Sequence, residues 1–156
     1  EMLNTWLWKR VREQRGATYG FGVGVSLARG GAAHLQISGA VGMLELRGTV
    51  AALQQQLGRY AKEGVPGAEL ERARARLLSL DAVRFVSTRN WGEQLLDARM
   101  LGFAPDALSR RPEYLQAVTS DALQQDFAGC LQRLVVGVIA DEGRGRAALQ
   151  VMAPQP

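Results

Sequence analysis

The chain has 156 residues, 47% hydrophobic and 22% charged, with 19 basic against 15 acidic side chains for a formal charge of +4. That size and composition suit one globular domain with a sizeable core and argue against two independent ones. No run of about 18 uncharged apolar residues occurs, which excludes a membrane-spanning helix, and the first twenty residues lack the order of a signal peptide.

The basic residues are nearly all arginine, with Lys9 and Lys62 the only lysines. An arginine excess suits an acidic partner or nucleic acid, but these arginines are spread along helical stretches as a solvated surface would be. The single Cys130 rules out an internal disulfide and a cysteine metal cage. Among Phe127, Leu131 and Leu134 it reads as a buried thiol.

In chain order, Leu3, Leu7 and Val11 share one helical face behind an Asn4 or Thr5 cap, and the helix ends near Gly16. From Thr18 the period changes to two. Tyr19, Phe21, Val23, Val25 and Leu27 point one way, and Gly20, Gly22, Gly24 and Ser26 the other. Arg29, Gly30 and Gly31 form a turn into a second alternating run, with Leu35, Ile37, Gly39 and Val41 opposed to His34, Gln36, Ser38 and Ala40. The pair reads as an antiparallel hairpin.

Leu46, Val50, Leu53, Leu57 and Tyr60 then describe an amphipathic helix closing at Gly64. Beyond the Pro66-Gly67 break, Leu70, Ala73, Leu77 and Leu80 mark a long half-solvated helix through Arg84. Trp91, Leu95, Ala98 and Leu101 mark another, ending at Gly102. Pro105 and Pro112 bracket a polar connection to a short helix holding Tyr114, Leu115 and Val118. Ser120 is placed as the N-cap of a helix carrying Leu123, Phe127 and Leu131. The apolar run at residues 134–140 reads as a strand buried on both faces, and residues 141–156 as a frayed tail. Strands and helices are segregated, which predicts an α+β fold, an antiparallel sheet covered on one face by helices, across residues 1–156 as a single domain.

Absences in the sequence constrain the chemistry. His34 is the only histidine, so neither a two-histidine zinc site nor a histidine relay can be assembled from this chain. Alone in an alternating strand, His34 reads as a surface residue. Glycines 20, 22 and 24 alternate inside a strand and do not open a helix, so they are no dinucleotide loop. They leave one sheet face without side chains, so that either a helix packs very close or an extended peptide approaches the backbone. No phosphate-cradling loop and no aromatic-basic interleaving for nucleic acid is present.

One constellation carries chemistry. In Arg12-Glu13-Gln14-Arg15-Gly16-Ala17-Thr18-Tyr19-Gly20 an arginine on the last helical turn and a tyrosine at a strand mouth flank a glycine corner. An arginine fork there can hold a peptide carbonyl, and a phenol can donate to an oxyanion. Equally, Arg12 can cap helix carbonyls while Tyr19 fills core.

The stretch from Leu3 to Val25 resembles the S-R-L-(x)n-(I/L/V)-R-E-x-x-G-L-x-Y-(S/G) signature of the C-terminal domain of the M16 (pitrilysin/insulinase-like) zinc metallopeptidases. Glu63-Gly64-Val65-Pro66 followed by Glu69-Leu70-Glu71-Arg72-Ala73-Arg74 is similar to that family's G-(V/I)-(T/S)-x-x-E-L-x-x-A-(K/R) helix start. Val118-Thr119-Ser120-Asp121-Ala122-Leu123 resembles a later helix, and Leu134-Val135-Val136-Gly137-Val138 the closing strand.

The resemblance implies a half of a two-half peptidase whose other half carries zinc, with no cofactor of its own. It implies that Arg12 and Tyr19, seven positions apart, contact substrate near that metal, Tyr19 at the scissile carbonyl and Arg12 on substrate backbone. Expected partners are a zinc-bearing M16 half, fused or separate, in a homo- or heterodimer, and peptide substrate, with no nucleic acid and no membrane span. The family half normally starts with a strand and helices before this point, so the resemblance implies the later portion of a half without its first strands. Trp6, Leu7 and Trp8 stand where many members keep small or polar residues, and Ala17 replaces a usual leucine. The resemblance favours the bacterial periplasm over the cytoplasm without fixing either. The competing expectation is a scaffold or binding subunit with a decayed peptidase fold.

Overall fold

A computed structural model describes residues 1–9, 20–28 and 32–152. Within them the order is α1 (Met2–Leu7), β1 (Gly20–Leu27), β2 (Ala33–Ala40), α2 (Leu46–Glu63), α3 (Gly67–Arg84), α4 (Thr88–Met100), α5 (Arg111–Ala117), α6 (Ser120–Gln132) and α7 (Glu142–Met152). This is the α+β arrangement the segregated pattern predicts, with a two-stranded antiparallel sheet and helices packed on one side.

The hairpin register sets Val23 opposite Ile37 and Val25 opposite Leu35, with Gly22 opposite Ser38 and Gly24 opposite Gln36. Because side chains alternate across a strand, one face gathers Phe21, Val23, Leu35 and Ile37, and these pack onto the helices. Leu7 of α1 is buried against Phe21, Val23 and Ile37, which fastens the first helix to the sheet. At Gly39 a Cβ would stand 2.7 Å from the Phe21 ring, so the glycine lets that ring lie over the neighbouring strand.

The main core joins α1, α2, α3 and α6 through Leu3, Leu57, Tyr60, Val65, Leu70 and Phe127, all buried. Tyr60 and Phe127 stack at 5.0 Å between ring centroids in a tilted arrangement. Each large side chain removed from water in this way contributes roughly 1.5–3 kcal/mol. The leucine stripe of α2 explains why that helix lies at the centre, with α6 and α7 against it.

Helix ends follow local chemistry. Gly64 ends α2 at φ 75, a left-handed backbone that disfavours other residues. Ser87 caps α4 by accepting from Asn90 N–H at 3.1 Å. The cap of α6 is Thr119, which accepts from Ala122 N–H at 3.2 Å, and not Ser120. Ser120 is the first helical residue, and its hydroxyl is engaged elsewhere, bonding both backbone groups of Val65. On the other side of the fold, the Arg74 guanidinium donates to the Leu115 carbonyl at 3.0 Å and to that of Val118, closing the C-terminal end of α5. Arg111 pairs with the buried carboxylate of Asp81 at 2.5 Å, fixing the start of α5 to α3.

Besides the α6 cap, further expectations are corrected: α1 starts at Met2 behind Glu1, so Asn4 and Thr5 lie inside the helix and do not cap it. Residues 134–140 form no strand and are not buried on both faces: Val135 and Ile139 are fully exposed. Apolar β-branched composition favours an extended chain, but a strand needs a ladder partner, and none lies beside this segment among the described residues. The stretch expected to fray instead forms α7 at Glu142–Met152, started by Asp141, whose carboxylate accepts from Arg144 N–H at 3.0 Å, and held by fully buried Ala148. Cys130 is exposed, since the thiol lies off the Phe127 stripe of α6. No described helix is long and apolar enough to cross a membrane.

Candidate functional site

Arg12 and Tyr19, the residues singled out for peptide chemistry, lie outside the described residues. The structure defines what flanks them. Lys9 follows the last turn of α1, and Gly20 opens β1 directly after Tyr19. Both flanks are anchored, α1 through buried Leu3 and Leu7 and β1 through its pairing with β2.

The outer face of the sheet is open. At Gly20, Gly22 and Gly24 nothing lies within 4 Å of where a Cβ would stand, and Ser38, Gln36 and His34 opposite are exposed. The close-packed helix that those glycines could have accommodated is absent among the described residues. A bare, water-facing strip of backbone and small polar side chains is left, starting one residue after Tyr19. His34 stands on this face opposite Ser26, as a surface strand residue. No group of three His, Cys, Asp or Glu that could hold a metal occurs among the described residues. With one histidine in the chain, the donor set does not fit a zinc site.

A second feature is a groove of about 480 Å³ between α1 and the first turns of α3, lined by Met2, Trp6 and Lys9 on one side and by Glu69, Arg72 and Arg76 on the other. Arg76 is held by Glu1 at 2.6 Å. Glu69 accepts from the Tyr60 hydroxyl and stands 3.9 Å from Arg59, so it is turned toward the core. Burial pushes the Tyr60 hydroxyl far above the ordinary tyrosine range, and the Glu69 carboxylate adds to the rise. Lys9 and Arg72 have no ion pair among the described residues. Reading the arginines as a uniformly solvated face missed this groove. The signal that could have found it is the second stripe of α1, in which Met2, Trp6 and Lys9 recur at helical spacing beside Leu3 and Leu7.

Residues 1–77 match the family model of the Peptidase M16 inactive domain, a stretch that contains Arg12, Tyr19, the hairpin, α2 and the start of α3. No curated protein matches the sequence at a significant level. Among solved structures the chain is similar to the periplasmic protease PqqL of Escherichia coli, with a TM-score of 0.59 and 14% identity, covering 81% of this chain and 14% of that one. At that identity the likeness is one of fold, and this chain spans a small part of the length of that protease.

Proposed function

Taking this chain as M16-type on the match of residues 1–77 to the inactive domain and on its α+β fold, we propose that it is the zinc-free half of an M16-type peptidase. In this reading it closes a chamber, binds extended peptide and presents Arg12 and Tyr19 to a zinc site on a partner half, fused or separate. The partner's metal supplies the Lewis acid. Hydrolysis by this chain alone is excluded from the proposal, because the donor set for zinc is missing.

The observation that carries the reading is the position of Tyr19. It immediately precedes an open strip of sheet, Gly20, Gly22 and Gly24, over which nothing packs within 4 Å of a Cβ position. An extended substrate laid over that strip would meet backbone without side-chain collision, with its scissile bond close to the strand mouth. There the Tyr19 hydroxyl donates a hydrogen bond to oxygen as negative charge develops on the scissile carbonyl, and the Arg12 fork grips a substrate carbonyl. Interactions that strengthen as that charge forms raise turnover more than they raise ground-state binding. The periplasmic setting of the similar protease supports the same compartment for this one.

The test pairs the protein with the zinc-bearing half and follows cleavage of extended peptides by wild type and Tyr19→Phe. Loss of a transition-state hydrogen bond costs about 2.7–4 kcal/mol, a drop of roughly 100- to 1,000-fold in kcat. Unchanged turnover would remove Tyr19 from the chemistry and leave a binding or structural subunit.

A further inference from the structure

Gly39 differs from the other glycines of the hairpin. A Cβ placed there would stand 2.7 Å from the Phe21 ring, 2.8 Å from the Gly20 carbonyl oxygen and 2.9 Å from the Phe21 Cα, whereas at Gly20, Gly22 and Gly24 nothing lies within 4 Å. Two of the three crowding atoms are backbone, so a change of rotamer cannot clear the space. A glycine inside a strand at such a point marks a close approach of another backbone.

The crowding atoms belong to the mouth of β1. Gly20 pairs with Ala40 and Phe21 with Gly39, the rungs at that end of the ladder. Gly20 is bonded directly to Tyr19. Lying across Gly39, the Phe21 ring packs on Leu7 of α1, which is 1% exposed and is also covered by Val23, Ile37 and Val41. Leu7 stands five positions before Arg12, and Phe21 two positions after Tyr19. The Leu7–Phe21 contact therefore joins the two ends of the segment that carries both residues, and the bare Gly39 gives the ring its seat.

We infer that Gly39 is a positioning residue for Tyr19: by admitting the Phe21 ring and the Gly20 carbonyl so closely, it sets where β1 begins relative to α1. The inference rests on the catalytic reading of Tyr19 given above. A methyl group at position 39 forces the backbone of Gly20 and Phe21 to move, and Tyr19 moves with it. Misplacement of a reacting group by about 1 Å costs up to about 100-fold in rate.

Two readouts test this. The chain holds three tyrosines, Tyr19, Tyr60 and Tyr114, so protein labelled with fluorotyrosine gives three fluorine resonances, and Tyr19→Phe assigns that of Tyr19. Gly39→Ala should move the Tyr19 resonance and leave that of Tyr114, in α5, in place. With the zinc-bearing half present, Gly39→Ala should lower kcat on extended peptides roughly 10- to 100-fold while KM changes less than about twofold. In a Tyr19→Phe background the same substitution should cause no further loss. Phe21→Leu, which removes the ring without adding bulk, should move the same resonance and lower kcat, and it carries the test where Gly39→Ala does not fold. Gly64→Ala, strained at the α2–α3 turn, should keep the wild-type kcat while folded, which separates positioning from lost stability. An unmoved Tyr19 resonance in folded Gly39→Ala and Phe21→Leu, or an equal loss of kcat with and without the Tyr19 hydroxyl, overturns the inference alone. Full turnover by Tyr19→Phe would remove the reading of Tyr19 and this inference with it.

Discussion

The Ser120 hydroxyl binds both backbone groups of Val65, accepting from its N–H at 3.0 Å and donating to its carbonyl at 2.8 Å. Val65 is 3% exposed and lies in the turn between α2 and α3, so water cannot readily replace either bond. One side chain at the start of α6 therefore ties that helix to the turn joining α2 and α3, three of the four helices that build the core. Ser120→Ala leaves a buried donor and acceptor unpaired and should cost about 2–4 kcal/mol in urea unfolding, with the slope of the transition unchanged.

The same turn makes Gly64 specific. Its φ of 75 disfavours a side chain, and a Cβ there would stand 2.6 Å from Ser120 Oγ. Gly64→Ala should therefore destabilise the protein by roughly 1–3 kcal/mol. Gly58, inside α2 with nothing within 4 Å of its Cβ position, should behave oppositely. Gly58→Ala is expected to raise stability by about 0.5–1 kcal/mol in the same measurement.

Tyr60 gives a pH signature. Burial first, and Glu69 second, raise the pKa of its hydroxyl in the folded state, whereas the unfolded chain ionises near the ordinary value of about 10. The contribution is then fully present below about pH 10 and is lost as pH rises from there toward the folded-state value, because the unfolded chain releases the proton first. Tyr60→Phe should be less stable than wild type by about 0.5–1.5 kcal/mol at neutral pH, from the lost bond to Glu69. It should also show a shallower alkaline decline in denaturant titrations between pH 9 and about 11.

Arg74 tests geometry against charge. Its guanidinium reaches two carbonyls at the end of α5 and the Glu71 carboxylate at once, an arrangement that needs a planar fork. Arg74→Lys keeps the charge yet should lose about 1 kcal/mol of stability, and fluorescence of thermal unfolding measures it.

Much of the fold was legible because its elements carry strong periods. The Leu53, Leu57, Tyr60 stripe and the alternation at Phe21 and Val23 report which face is buried, whereas Val25 and Leu27 on the same side of β1 are exposed. Residues 134–140 misled because an apolar β-branched run specifies an extended chain and says nothing about whether a neighbour exists to pair with it. The helical pattern at 142–152 was obscured by Gly143 and Gly145, and a single buried contact at Ala148 outweighs their poor propensity. In the site, the glycine strip was legible as a bare face. Whether that face was open or covered depended on packing from distant sequence, and the groove beside Trp6 and Lys9 depended on how α3 crosses α1.

The account turns on Tyr19 acting on a peptide whose metal comes from the opposite half. Single-turnover cleavage of an extended peptide by the protein paired with its zinc half, compared for wild type and Tyr19→Phe under saturating substrate, measures this directly. The predicted result is a rate lower by roughly 100- to 1,000-fold with peptide affinity little changed. Equal rates for the two proteins would contradict it.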